Sequence, residues 1–467
     1  MTHGQPDSIT LPDTISSGGQ GTSPQNDGAQ NGATQGGTAE QKVSWLELFF
    51  DLIFVVAFDQ LARRLGDSPG LENIAEFALL FTAVWWAWAG NTLFAARFGN
   101  ESRIYRWATL TQLVSMSLIA LTLRGDVKDT GLAVALAFGV NRLIQCVQYL
   151  LVSRARPEAA AFAQRVAQTF GGAALLWLGS ALLPAGSAAQ LLIWCAALAL
   201  EIVAPILARG LSTAVLPHQG HLPERVGLLQ IIALGAIVTE TVNGSRQQAL
   251  TLPTLLPALG AILTTVALWR LYFDQARALP LLAAHVEGQV GRLLAWLYGH
   301  LPFTLSVIML GVGLGHGLSA VDAKKDAVNQ QFVAWPLAGT LFTLAMLRLN
   351  SMQVARRRVP DRSLLALAAG IAGCVVLAFL DLDTTELHLS VAALTLLLAA
   401  VVAADPATRR LGQLEEKVTE QMEEGDAPRS LEEPVSAQAG AASAGRPAST
   451  GAGSSARAPS AGSSTPE

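Results

Sequence analysis

Three stretches without a formal charge constrain this chain most: residues 77–96, 247–269 and 387–404, of 20, 23 and 18 residues. About 20 apolar residues in helical form cross the roughly 30 Å of a bilayer's hydrocarbon. In lipid every backbone N–H and C=O must be satisfied within the fold, so such stretches are helices. A longer apolar run, 166–200, is divided by Pro184-Ala185-Gly186-Ser187 into two spans joined by a tight turn. Only 14% of the 467 residues are charged, against about 25% in soluble domains. The expected fold class is therefore all-α, a polytopic membrane helical bundle.

Hydropathy places about twelve spans, near 46–65, 74–95, 105–123, 131–152, 166–183, 188–207, 225–243, 252–273, 293–316, 331–350, 363–381 and 386–404. Pro205 predicts a kink in the sixth. With both ends of the chain on one side, that side carries 20 Lys and Arg near the spans. The other side carries 7: Arg63, Arg64, Arg124, Lys128, Arg246, Lys324 and Lys325. Cytoplasmic loops hold the excess of positive charge, so both termini are expected in the cytoplasm and the protein in the cell membrane.

Four regions follow: a disordered tail over 1–43, a six-helix half over 44–207, a second over 208–404, and 405–467, a short juxtamembrane helix before a disordered tail. In the juxtamembrane helix Leu411, Leu414, Val418 and Met422 share one side. The first 43 residues have neither the basic start nor the apolar centre of a cleavable signal, so the first span is expected to direct its own insertion. The halves echo one another. Glu47 and Glu224 open the first and seventh spans, Trp86 precedes Trp269 by 183 residues, and Trp107 precedes Trp296 by 189. An even number of spans per unit makes the repeats parallel, an arrangement in which transporters hold substrate between the halves.

The segment SWLELFFDLIFVVAFDQLARRL, residues 44–65, is apolar enough to enter a membrane yet carries Glu47, Asp51 and Asp59. A charge at the bilayer centre costs about 2.5–3.5 kcal/mol, so these groups need partners, protons or water. On a 3.6-residue period they share one broad stripe, and Leu46, Phe49, Phe50, Ile53 and Phe54 fall opposite. Ser44 forms a capping box with Glu47, which gives that carboxylate a structural role beside a functional one. Arg63 is placed to pair with Asp59 at i+4. Asp51, more than a turn inside and flanked by Phe50 and Leu52, is the strongest functional candidate.

Residues 47–55, ELFFDLIFV, resemble the opening signature of the bacterial low temperature requirement A family of membrane proteins. HLPERVGL from His221 with IIALG from Ile231, LWRLYFD from Leu268 and YGHLP from Tyr298 resemble further blocks of that family, in its order. The resemblance implies a multi-pass bacterial membrane protein; the family's name reflects a requirement for growth in the cold and carries no molecular activity. The family places a glutamate after Leu-Gly in the seventh span, where this chain has Ala236 after Gly235, and Glu240 lies one turn later.

Other polar groups fall within or beside the spans. Glu224 suits the positive end of a helix dipole as well as a functional role. His300, before Pro302, suits either a proton relay or a hydrogen bond between helices. Arg142, Gln145 and Gln148 make the fourth span polar on one side, and Arg142 with Glu201 of the sixth makes a buried ion pair, a feature that is often structural. Arg142, Gln145 and Glu201, with Trp86, Trp88, Asn91 and Tyr272, are also candidates to line a polar cavity, although interfacial belts are the commoner place for tryptophan. His218, His221 and Glu224 form a weak metal arrangement in a Gly- and Pro-bearing loop, and Cys146, Cys195 and Cys374 read as small core residues. No enzyme signature is present. No catalytic residue, metal or cofactor is expected, and the net charge of −4 gives no reason for a nucleic-acid partner.

The first functional expectation is a proton- or ion-coupled transporter of a small solute, with Asp51 carrying the proton and His300 or Glu240 as the second site. The rival is a non-transporting membrane protein that supports the envelope under stress; an ion channel is a weaker third. Carboxylates without basic partners favour transport, and carboxylates matched to arginine favour structure. The first span holds no Lys or Arg before Arg63, which points to transport.

Overall fold

The computed structural model describes residues 43–67, 70–99, 102–207, 209–212, 215–319, 327–356 and 360–424, with Leu431. The tails expected to be disordered lie outside the described residues except for Val43 and Leu431, as do Lys324 and Lys325. Every regular element described is a helix. The first half comprises α1 (Trp45–Asp67), α2 (Leu71–Phe98), α3 (Arg103–Thr122), α4 (Val127–Ala155), α5 (Ala160–Ser180) and α6 (Ala188–Leu207), and a single turn, α7 (Arg209–Ser212), follows. The second comprises α8 (His221–Ser245), α9 (Leu252–Gln275), α10 (Leu279–Glu287), α11 (Val290–Ser319), α12 (Ala327–Val354), α13 (Arg362–Leu377) and α14 (Thr384–Ala404). The final helix is α15 (Pro406–Glu423).

Each of the twelve expected spans falls on one long helix, and the seventh is α8. Among the described residues eight stretches are long and apolar enough to cross a membrane unaided. Helices α1, α3, α5 and α13 fall short of that measure; α1 carries its acids and α13 has only 16 residues. Acidic caps set several starts, because their side chains accept otherwise unpaired N–H groups of the first turn. Asp126 accepts from Lys128, Asp361 from Leu364 and Asp405 from Ala407, and Asp383 forms a capping box with Glu386.

Neighbour relations recur in the two halves. The first packs α1 on α2 and α3, α3 on α4, α4 on α5, α5 on α6, and α2 on α4 and α6. The second packs α8 on α9 and α11, α11 on α12, α12 on α13, α13 on α14, and α9 on α12 and α14. The residues that signalled the repeat are less equivalent than their neighbours. Glu47 is buried and Glu224 exposed, Trp86 buried and Trp269 half exposed, Trp107 exposed and Trp296 buried. One pair of packings also differs. Along α9 and α14 the helices touch so closely that a Cβ on Gly260 would stand 2.9 Å from the His388 carbonyl. The matching helices α2 and α6 meet only sparsely.

The halves join through α1, α8, α2 and α11. Glu47 and Asp51 meet the start of α8, while Asp59 and Arg63 are the charged neighbours of Glu240 near its end, so α1 and α8 run in the same direction. The acidic stripe of α1 is its buried face. Phe50 and Phe54, expected opposite the acids, are fully buried beside them, and Phe49 and Leu52 take the exposed side. The reason is phase: positions 50 and 54 lie three residues beyond 47 and 51, within the same inward sector.

Candidate functional site: paired charges beside a cavity between the halves

Asp51 has the basic partner that its own helix lacks. Arg225 of α8 brings Nη2 to 2.6 Å from Asp51 Oδ1 and Nη1 to 2.9 Å from Glu47 Oε1. Trp88 of α2 donates its indole N–H to Asp51 at 2.8 Å. Tyr105 of α3 reaches Glu47 at 3.3 Å, and His221 Nε2 stands 3.1 Å from the same oxygen. The Ser44 N–H and hydroxyl donate to Glu47 Oε2 at 2.8 and 2.9 Å, so the capping box and the charge pairing coexist. All five ionisable groups at this joint are buried, and Asp51 Oδ2 keeps no hydrogen-bond partner among the described residues.

Arg225, at the edge of the seventh expected span, is one of the 20 positive charges counted on the cytoplasmic side, and Glu224 is among the site candidates; the structure reverses those positions. Glu224 points outward, while His221, Leu222, Arg225, Val226 and Leu229 form the buried stripe of α8. The i, i+4 spacing of His221, Arg225 and Leu229 carried that signal. The absence of a basic group in α1 before Arg63, which points to a free carboxylate, is answered from another helix.

Arg142 and Glu201 form the expected ion pair, Nε to Oε1 at 2.9 Å, with both side chains fully buried. Arg142 also donates to Gln145 at 2.8 Å, and its guanidinium lies 5.8 Å from the Phe170 ring centre. Asn91 belongs instead to a polar chain, donating to Gln112 at 3.1 Å, which donates to Gln148 at 2.5 Å. Asp59 pairs with Arg63 at 2.9 Å, as its spacing predicts. His300 and Tyr272 stand apart from both ion pairs: the imidazole meets the Trp296 carbonyl at 2.7 Å within an aromatic setting of Trp296 and Tyr272. Glu240, half-buried near the other end of α8, is remote from the joint. Cys195 is exposed on α6, outside the core.

Where α2 and α6 part, a cavity of about 60 Å³ opens, several times the ~10–15 Å³ that admits a water. Trp86 and Arg97 of α2, Phe170 of α5, Glu201 of α6 and Tyr298 of α11 line it. Arg142, Gln145 and Asn91 are not among its lining residues. Pro205 contributes no N–H to the Glu201 carbonyl one turn earlier, and beside it Tyr298 donates to the Ile202 carbonyl at 2.9 Å. A residue of the second half thereby bonds to the backbone of the first beside the proline.

Comparisons with known proteins agree with this architecture. The chain is 29% identical over 287 residues to the uncharacterized protein RA0937 of Rhizobium meliloti (strain 1021), covering 59% of this chain and 69% of that protein. No solved structure matches. The model of the bacterial low temperature requirement A protein matches residues 42–403, which take in both ion pairs, the joint between the halves and the cavity. The chain is therefore a multi-pass membrane protein of the low temperature requirement A (LtrA) family.

Proposed function

We propose that this protein is a transporter, not an enzyme, that moves a small solute or ion across the cell membrane with both termini in the cytoplasm. The carrying observation is the cavity at the boundary of the halves, where α2 and α6 meet far more sparsely than α9 and α14 do. Substrate between parallel repeats is the arrangement this reading requires. Asp51 then serves as part of a joint with Arg225, and proton coupling passes to Glu201, whose Oε2 is buried without a hydrogen-bond partner at the cavity wall.

The test is flux in liposomes containing purified protein, with protons, alkali ions and small organic ions of both signs. Ala204→Phe fills the cavity from α6 and leaves the residues of both ion pairs in place. Flux in the wild type and its loss in folded Ala204→Phe is the expected result. Absence of flux throughout, or equal flux in the variant, ends the transport reading. One observation supports the rival: Asp51 and Glu201 are each matched to an arginine, as in a permanently paired bundle supporting the envelope in the cold.

A further inference from the structure

We propose that the cavity between α2 and α6 takes a small organic carboxylate bearing a hydroxyl donor; this assignment rests on the transport reading and names its substrate class. Three guanidinium groups surround the space. Arg142 stands behind the wall, already paired with Glu201. Arg97 and Arg165 line the cavity, and among the described residues neither makes an ion pair with a carboxylate. Arg97 lies 4.9 Å from the Phe162 ring centre and donates Nε to the Val215 carbonyl at 3.2 Å. That fixes its stem, the Tyr149 hydroxyl on the same wall is its further hydrogen-bond partner, and no described carboxylate takes its charge, which arginine gives readily to an anion. Arg165 stands exposed at the rim.

Glu201 adds the second requirement. Glu201 is one of the residues lining the cavity, its buried Oε2 accepts from no described group, and a buried acceptor left without a donor is costly. A ligand hydroxyl supplies that donor. The remaining wall is apolar and aromatic, with Trp86, Phe170 and Leu297 facing the ligand's body. An organic cation fits less well, because the one carboxylate of the wall is neutralised by Arg142 and two more arginines remain.

Binding is measured on the full chain in detergent, by titration and by the unfolding midpoint, with lactate, acetate and choline as probes. Lactate binds the wild type and raises its midpoint; acetate, lacking the hydroxyl, binds about threefold or more weakly, and choline does not compete. Arg97→Gln weakens lactate binding at least about tenfold. Should Arg97→Gln fail to fold, rim variant Arg165→Gln carries the test, weakening binding about threefold. The proposal is overturned if choline binds in preference, if acetate equals lactate, if the arginine variants bind lactate as the wild type does, or if no probe binds. Lactate binding without flux of any probe ends the transport reading and keeps the ligand class; choline flux does the reverse.

Discussion

Arg225 holds two carboxylates of α1 at once, at 2.6 and 2.9 Å, with no exposure to solvent. Removing one partner of a buried pair leaves the remaining charge without compensation, at about 3–5 kcal/mol. Arg225→Met should therefore lower stability by at least that amount, read as a fall in the unfolding midpoint in detergent. Glu224→Gln, one residue away and exposed, should stay within about 0.5 kcal/mol. Equal effects of the two would remove the joint from the account. At this scale the sequence was partly legible. A carboxylate inside an apolar helix announces itself by its cost, which is why Asp51 and the Arg142–Glu201 pair were visible. A charge at a helix start has no such cost until the facing helix is known. Arg225 therefore looked interfacial, and the separation of His300 and Tyr272 from the ion pairs was hidden for the same reason.

Between elements, backbone approach decides what the helices tolerate. Helices α8 and α11 cross on glycines: a Cβ on Gly315 would stand 2.6 Å from the Glu240 carbonyl oxygen, and one on Gly311 3.1 Å from Ile237 Cα. Small residues four apart permit such contact between membrane helices. Gly315→Val is expected to separate the pair and abolish recovery of folded protein, as monitored by monodisperse elution. On α8, a Cβ at Gly235 meets nothing within 4 Å, and Gly235→Ala should stabilise by about 0.5–1 kcal/mol. A second junction is sensitive to acid. Asp405, between α14 and α15, is buried, which alone raises its carboxyl; hydrogen bonds from Ser363 and Ala407, with Arg348 nearby, hold it below the ordinary range. Its contribution is present above the unfolded value and lost as the pH falls through the lower folded one. The wild type should lose stability below about pH 4, and Asp405→Asn should flatten part of that slope in unfolding measured against pH. Helix positions were legible from hydropathy, because the spans are long. The sparse contact of α2 with α6 was not, since it depends on which faces meet.

The whole molecule brings the start of α1 and the end of α14 to the same end. Glu47 meets His221, and the neighbouring His218 takes its N–H to the Ala96 carbonyl and has Glu423 of α15 among its charged neighbours. With the excess of Lys and Arg on that end, fluorescent-protein fusions at either terminus should glow in the cytoplasm, while a periplasm-active phosphatase should be active when inserted near Arg246; a phosphatase signal from a terminus would reverse the orientation. The span positions were readable because they follow chain order. The inequality of the halves was not, because it lies in burial. The joint has a consequence for synthesis. Asp51 and Arg225 are separated by 174 residues, which a ribosome making about 5–20 residues per second takes roughly 10–35 s to traverse. For that interval α1 has its acids without their cation, so the newborn chain must keep α1 protonated, hydrated or sheltered at the insertion machinery until α8 emerges. The order of translation, rather than the finished fold, then sets the most vulnerable moment in the life of this protein.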